Sequence, residues 1–395
     1  MEHDITNTDI LPTEQNQDLP QTEQEDIEKE GIAEDSPLIM DNPFDPTKIN
    51  IETKTPSLDT LIKRIMYKTV QLNTESYFQR QDDLWNKVQQ SRLIESILIR
   101  FPLPAFFFDA TDDSKWLVVD GLQRLSSIRN FCVEKTLRLT NLEFLSHLNG
   151  KSWDDLSGDL SHLRRVIEEA QVVIYKIMPG TPTDVKFNIF KRINTGGLIL
   201  EPQEIRHALF QGEPAKFIAE LGRNEAFIWA TGGRIKTHRM LDRDFANRFL
   251  CFYLFGYKNY VPDLDTFMSK AMASINDKTE EERELIIKDF TKAMDLAYKV
   301  FGQEAFRKVI YDGYRLPPIN KALFDAIATQ FALLTNKERS LLYEHKIAFK
   351  EGLRSLLKED ATFFTSISSS TGDRNRVIYR HNEIERLIKK IIYQA

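Results

Sequence analysis

Apolar residues recur at helical spacing at Leu58, Leu61, Ile62 and Ile65, just after Pro56-Ser57. That spacing predicts a helix that begins where regular structure is expected to start, near Thr55. A short extended stretch follows. A second amphipathic helix is expected over 84–100, with Leu84, Val88, Ile94, Ile97 and Leu98 on its apolar side, stopped by Pro102 and Pro104. Residues 105–108 and 116–119 read as buried strands joined by a polar turn at Asp112-Asp113-Ser114. Residues 123–131 read as a helix, 171–178 as a strand closed by Pro179-Gly180, and 182–193 and 202–210 as helices. Beyond about Gly212 the alternation characteristic of strands gives way to helical periodicity over 245–257, 280–300, 318–334 and 384–393. The pattern therefore predicts an α+β domain over 51–212 followed by an all-helical domain over 213–395.

Composition changes this picture mainly at the N-terminus. Residues 1–45 hold fourteen Asp or Glu against the single basic Lys29, a charge of −13; taken from the overall −6, this leaves +7 on residues 46–395. Residues 1–50 are too polar to bury the apolar area that would offset the entropy of ordering, so they are expected to be a disordered acidic tail. The alternative is an acidic mimic that occupies the protein's own basic groove. A body charge of +7 is compatible with nucleotides or nucleic acid but short of a dedicated DNA-binding domain. The polar start of the chain does not resemble a secretory signal, and no long apolar run predicts a membrane span. Two distant cysteines in apolar surroundings, Cys132 and Cys251, point to a reducing cytosol and a cytoplasmic protein.

Three segments could carry chemistry. Val118-Val119-Asp120-Gly121-Leu122-Gln123-Arg124-Leu125 reads as strand, tight turn and helix. Gly121 would let backbone approach a ligand, the first helical N–H groups would face an anion, Arg124 could fork a phosphate, and Asp120 could hold a metal ion or cap the helix. An ordinary capped strand–turn–helix with a surface arginine gives the same letters. Phe190-Lys191-Arg192-Ile193-Asn194-Thr195-Gly196-Gly197 is either an anion nest or a helix C-cap with a flexible turn. Tyr77-Phe78-Gln79-Arg80 with Trp85 could contact phosphate and stack a base, or could be core aromatics with a rim arginine.

Taken together these segments resemble the N-terminal domain of GmrSD-type, modification-dependent restriction systems. The resemblance rests on Gln79, Arg80 and Trp85; on Phe101-Pro102-Leu103-Pro104; on Asp120-Gly121-Leu122-Gln123-Arg124-Leu125; on Phe190 with Arg192-Ile193-Asn194-Thr195-Gly196-Gly197; and on Glu204-Ile205-Arg206. It implies a ParB/sulfiredoxin-like fold and a site for a nucleoside triphosphate with Mg2+, with Asp120 at the metal. Phosphate contacts would fall on Gly121, Gln123 and Arg124, the last two with Asp120 forming the catalytic set. Gln79, Arg80, Arg192, Asn194, Gly196 and Gly197 would be neighbours in the same pocket. Two departures matter: Leu122 stands where the family usually has glutamine, and Arg80 and Trp85 are about one residue further apart. Since leucine cannot orient water or hold a metal, hydrolysis is less secure than binding.

The nuclease half usual for that family is not expected here. The seven histidines fall in no nuclease-like arrangement, His381-Asn382 being the nearest hint, and no Walker-type loop occurs. Two basic runs remain: Arg374, Arg376 and Arg380 after a Ser/Thr/Gly-rich loop, and Arg234, Lys236, His238, Arg239 and Arg243. Each is either a phosphate grip or solvated surface. The expected function is a nucleotide-binding regulatory protein of a prokaryotic restriction or phage-defence system, with or without hydrolysis. Its alternatives are a DNA-binding module and an interaction protein that recruits a separate nuclease subunit. A nucleotide-linked homodimer would suit the fold.

Overall fold

The computed structural model of the chain describes residues 26–28, 46–72, 85–193, 200–311, 313 and 316–393. Regular structure begins earlier than the hydrophobic pattern suggests. A first strand, β1 (Ile51–Lys54), precedes the first helix and pairs antiparallel with β5 (Ile174–Ile177). Its four residues are exposed or half-buried, so it carries little apolar signal; it is held by its ladder. The five strands run in the order β1-β5-β3-β4-β2, with β2 (Val70–Gln71), β3 (Phe106–Asp109) and β4 (Trp116–Asp120) completing the sheet. β3 lies parallel to β5 and antiparallel to β4, and β2 lies parallel to β4.

Alternation along β4 sends side chains to opposite faces. Trp116 and Val118 join Phe106, Phe108 and Ile174 on one face. That face is covered by α1 (Leu58–Met66), α2 (Lys87–Leu98), α3 (Leu122–Ile128) and α4 (Ser161–Glu169). Leu117 and Val119 join Ile177 on the other, beneath α5 (Thr183–Ile193) and α6 (Pro202–Leu209). α2 opens with a capping box in which Asn86 and Gln89 satisfy each other's backbone N–H groups, and α3 continues into a π-helix, Arg129–Val133. The predicted α+β domain is therefore a mixed sheet with helices on both faces.

From Glu213 onward the described elements are helical: α7 (Glu213–Gly222), α8 (Glu225–Ala230), α9 (Leu241–Phe255), α10 (Leu264–Ser274), α11 (Glu280–Phe301), α12 (Lys321–Leu333), α13 (Asn336–Glu344), α14 (Lys346–Glu359), α15 (Ala361–Ser368) and α16 (Arg374–Tyr393). They share one core, in which Phe227, Phe245, Phe290 and Phe324 make edge and tilted ring contacts. No helix among the described residues is long and apolar enough to cross a membrane. One piece of the acidic tail departs from the expectation of disorder: Ile27 packs against the helical core.

Candidate functional site

The turn after β4 is built tightly. Gly121 is the N-cap of α3 at φ 99, a left-handed conformation that suits glycine. A β-carbon there would come within 2.5 Å of Phe106 Cδ1, so the glycine also admits the neighbouring strand's ring. Arg124 turns inward. Its guanidinium donates to the Pro104 carbonyl, to the Ala105 carbonyl at 3.2 Å and to Asp120 Oδ2 at 2.8 Å, and lies 4.6 Å from the Phe106 ring centroid. Only 10% of its side chain is exposed. Burial pulls the guanidinium below its usual pKa while Asp120 opposes the shift. Arg124 thus clamps the chain leading into β3 against the end of β4. The Phe101-Pro102-Leu103-Pro104 segment and the Asp120–Arg124 turn, two separate motifs in the sequence, are halves of one contact.

The sheet topology brings further segments to the same end. β2 is parallel to β4, so it points toward the Asp120 end of the sheet, with Gln71 opposite Leu117. Trp85 reaches the same turn: its backbone N–H donates to Gln123 Oε1 at 3.1 Å. Trp85 itself packs against the sheet core, as the non-functional reading of that residue had it. α5 starts at the opposite end, where Lys186 Nζ meets Asp109 Oδ2 at 2.9 Å. It then runs back under Leu117 and Val119, and with a rise of about 1.5 Å per residue brings Arg192 and Ile193 toward the Asp120 end. Arg192 is exposed there. Gln79, Arg80, Asn194, Gly196 and Gly197 lie outside the described residues. Among the described residues no three metal-binding side chains converge, so Asp120 would meet a magnesium ion only as one carboxylate beside a ligand's oxygens.

Residues 62–211 match the family model for the GmrSD restriction endonuclease, N-terminal domain. Over that span the chain therefore carries a domain of the GmrSD N-terminal type. No curated protein and no solved structure matches it. The match begins inside α1 and closes just after α6, so it takes in the turn, α5 and the Glu204-Ile205-Arg206 segment.

The last segment has a role that sequence reasoning did not find. Pro202 accounts for the start of α6, but not for the burial of its polar residues. Arg206 is fully buried, with Nε on Gln203 Oε1 at 2.8 Å, Nη1 on Asp265 Oδ1 at 2.9 Å and Nη2 on Asp244 Oδ1 at 3.2 Å. Asp244 belongs to α9 and Asp265 to α10, so the last helix of the GmrSD N-terminal domain is bonded into the helical half. Lys191 of α5 reaches the same Asp265 at 2.8 Å, and Lys321 of α12 reaches Asp244 at 2.9 Å. Glu204, also fully buried, receives Arg239 at 2.8 Å. Burial would raise the Asp244 carboxyl, but Lys321, Arg206 and Arg248 override it and hold the group at about 2. The only sequence signal for this junction was the unusual density of charge in a helix whose apolar face was already accounted for.

Several arginines of the basic runs are bonded within the protein, although Arg234, Lys236, His238 and Arg374 remain exposed. Arg374 donates to the Tyr260 carbonyl at 3.2 Å and Arg376 to the Ser369 carbonyl; Arg380, fully buried, donates to the Thr371 carbonyl at 2.6 Å and lies 3.3 Å from Asp325. Arg239 pairs with Glu204, and Arg243 donates to the His207 ring. His381 is fully buried between Phe252 and Tyr257, with ring centroids 4.8 Å away, and burial drives its pKa well down. It is core.

Proposed function

We propose that this protein is a cytoplasmic, nucleotide-responsive regulatory component of a restriction system, in which the GmrSD N-terminal domain binds a nucleoside triphosphate at the Asp120 end of its sheet. The observation that carries this reading is convergence: the Asp120–Arg124 turn, Trp85 bonded to Gln123, and the end of α5 lie toward one end of the sheet, within a span that matches the family. Helix N-terminal N–H groups beyond Gly121 and the exposed Arg192 supply positive potential for phosphates. Arg124 is largely occupied by the protein itself, so its part is to hold the turn in shape. Phosphate charge falls to Arg192 and Arg80. A magnesium ion bound with the nucleotide would neutralise phosphate charge.

Occupancy has a path to the helical half. Both Lys191, at the end of α5, and Arg206 on α6 share Asp265 of α10. A ligand that favours one placement of the end of α5 biases that shared junction, and a partner nuclease subunit or DNA would read the helical half. The test is calorimetric titration with ATP, GTP, CTP and UTP in the presence of Mg2+. Wild type is compared with the Arg80→Ala and Arg192→Ala variants. Binding of one nucleotide that both variants weaken at least tenfold supports the site. A folded wild-type protein that binds none of the four refutes it.

A further inference from the structure

Asp26, Ile27 and Glu28 form a short extended segment laid on the helical half. The Ile319 N–H donates to the Asp26 carbonyl at 3.0 Å, and the Glu28 N–H donates to the Ile319 carbonyl at 2.9 Å, a parallel bridge between Ile27 and Ile319. On its other edge Ile319 bridges Arg307 antiparallel, and the neighbouring Asn320 N–H donates to the Phe306 carbonyl at 2.8 Å. Ile319 is therefore the middle of a three-membered ladder whose outer member is the acidic tail. With the tail in place Ile319 is fully buried, and without it the Ile319 N–H and carbonyl would lack these partners.

Side chains match the ladder. Lys308 pairs with Glu28, whose other oxygen accepts from Asn320 Nδ2 at 3.1 Å. Arg234 meets Asp26 at 3.0 Å. Ile27 packs into the helical core between them. Lys308 and Glu28 are only 16% and 22% exposed, whereas Arg234 is 57% exposed, so the Glu28 pair is the less screened of the two.

We propose that this edge is a binding site for extended acidic–apolar–acidic peptides, filled in this structure by the chain's own Asp26, Ile27 and Glu28, and open to such a segment of a partner protein when the tail leaves. Main-chain bonds supply affinity and the flanking cations supply selectivity, as in strand addition generally. The described contact spans Asp26, Ile27 and Glu28, and because it is intramolecular, tethering decides occupancy. A tethered segment has a local concentration on the order of mM, which a partner with a longer matching segment can overcome.

The experiment uses the full chain and a fluorescent peptide of residues 20–32, followed by anisotropy. Ile27→Asp in the protein removes the apolar anchor of the tail and leaves the receiving edge intact. This variant is expected to bind the peptide at least about tenfold more tightly than wild type, whose edge is already filled. Adding Lys308→Glu to that background should weaken binding at least fivefold. Lys308 also touches Ser368, so the exposed Arg234→Glu serves as a second variant that does not threaten folding. A peptide carrying the same Ile27→Asp change should not bind. The proposal is overturned if Ile27→Asp binds the peptide no better than wild type does, if both edge variants leave binding unchanged, or if the released edge gains affinity for labelled duplex DNA and none for the peptide.

Discussion

Arg206 offers the sharpest test of how the two halves are joined. Replacing it with alanine removes hydrogen bonds to Gln203, Asp244 and Asp265 and leaves two carboxylates short of a cation. Breaking a buried pair from one side costs roughly 3–5 kcal/mol. Lys321 still serves Asp244 and Lys191 still serves Asp265, which places the expectation at the lower end, about 3 kcal/mol. For a cooperative unit of this size that is a fall of about 4 °C in Tm. Urea unfolding at pH 7, followed by far-UV circular dichroism, measures the free energy directly. Arg206→Lys keeps one charge but cannot span both carboxylates, so it should recover only part of the loss.

The pH dependence gives an independent readout. Asp244 is held at about 2, below the ordinary carboxyl value, so its contribution is present above about pH 4 and is lost as pH falls toward 2. The contribution is at most about 2 kcal/mol, since a shift of one unit corresponds to about 1.4 kcal/mol and the side chain keeps some exposure. Arg206 supplies part of that depression. The deficit of Arg206→Ala should therefore be full at neutral pH and narrow below about pH 4. A loss under about 1 kcal/mol at pH 7, or a deficit that does not narrow with acid, would show that Arg206 does not join the halves as argued.

Gly121→Ala combines a strained φ with a β-carbon pressed on Phe106, and should cost about 2–4 kcal/mol in urea unfolding. Arg124→Met should lower Tm by several degrees in the absence of any nucleotide, because it frees the Pro104 and Ala105 carbonyls and strands Asp120; an unchanged Tm would return Arg124 to ligand binding alone. Asp325→Asn should destabilise by about 3–5 kcal/mol, because one carboxylate serves both Arg248 at 2.8 Å and Arg380 at 3.3 Å in the helical core. Burial pushes the thiols of Cys132 and Cys251 up, so neither should react with a chromogenic disulfide reagent at pH 8 until the protein is unfolded.

The elements that were legible in the sequence are those whose pattern is set by burial of one face. α1 shows its four buried residues at the spacing expected, and β3, β4 and β5 read as short apolar runs closed by turn residues. β1 was missed because a strand held at a sheet edge by main-chain bonds needs no apolar alternation. α4 was missed because only Ile167 is fully buried in it, and α8 because six residues do not span two turns. The sequence places Asp120, Gly121 and Arg124 on one strand–turn–helix, which the structure has. That Arg124 faces inward could not be read, because its other partners are the carbonyls of Pro104 and Ala105, some twenty residues away.

The same blindness explains the basic runs, and it bears on how the protein would work. A run of arginines in sequence shows its charge but hides its acids, because Asp244, Asp265 and Asp325 lie on other helices. Once paired, the Glu204–Arg239 and Arg206–Asp244–Asp265 contacts cease to be candidates for an anion surface and become the bonds between two halves. Such bonds are directional and largely buried, so they hold one arrangement well and tolerate a shifted one poorly. A greasy contact between α6 and the helical half would let the domains slide. A forked arginine on two carboxylates resists that, and makes any displacement at the end of α5 felt at α10. The GmrSD N-terminal domain and the helical half are thus predicted to respond to a ligand as one cooperative body. A nucleotide that binds at the sheet should raise the unfolding temperature of both halves together, in a single transition.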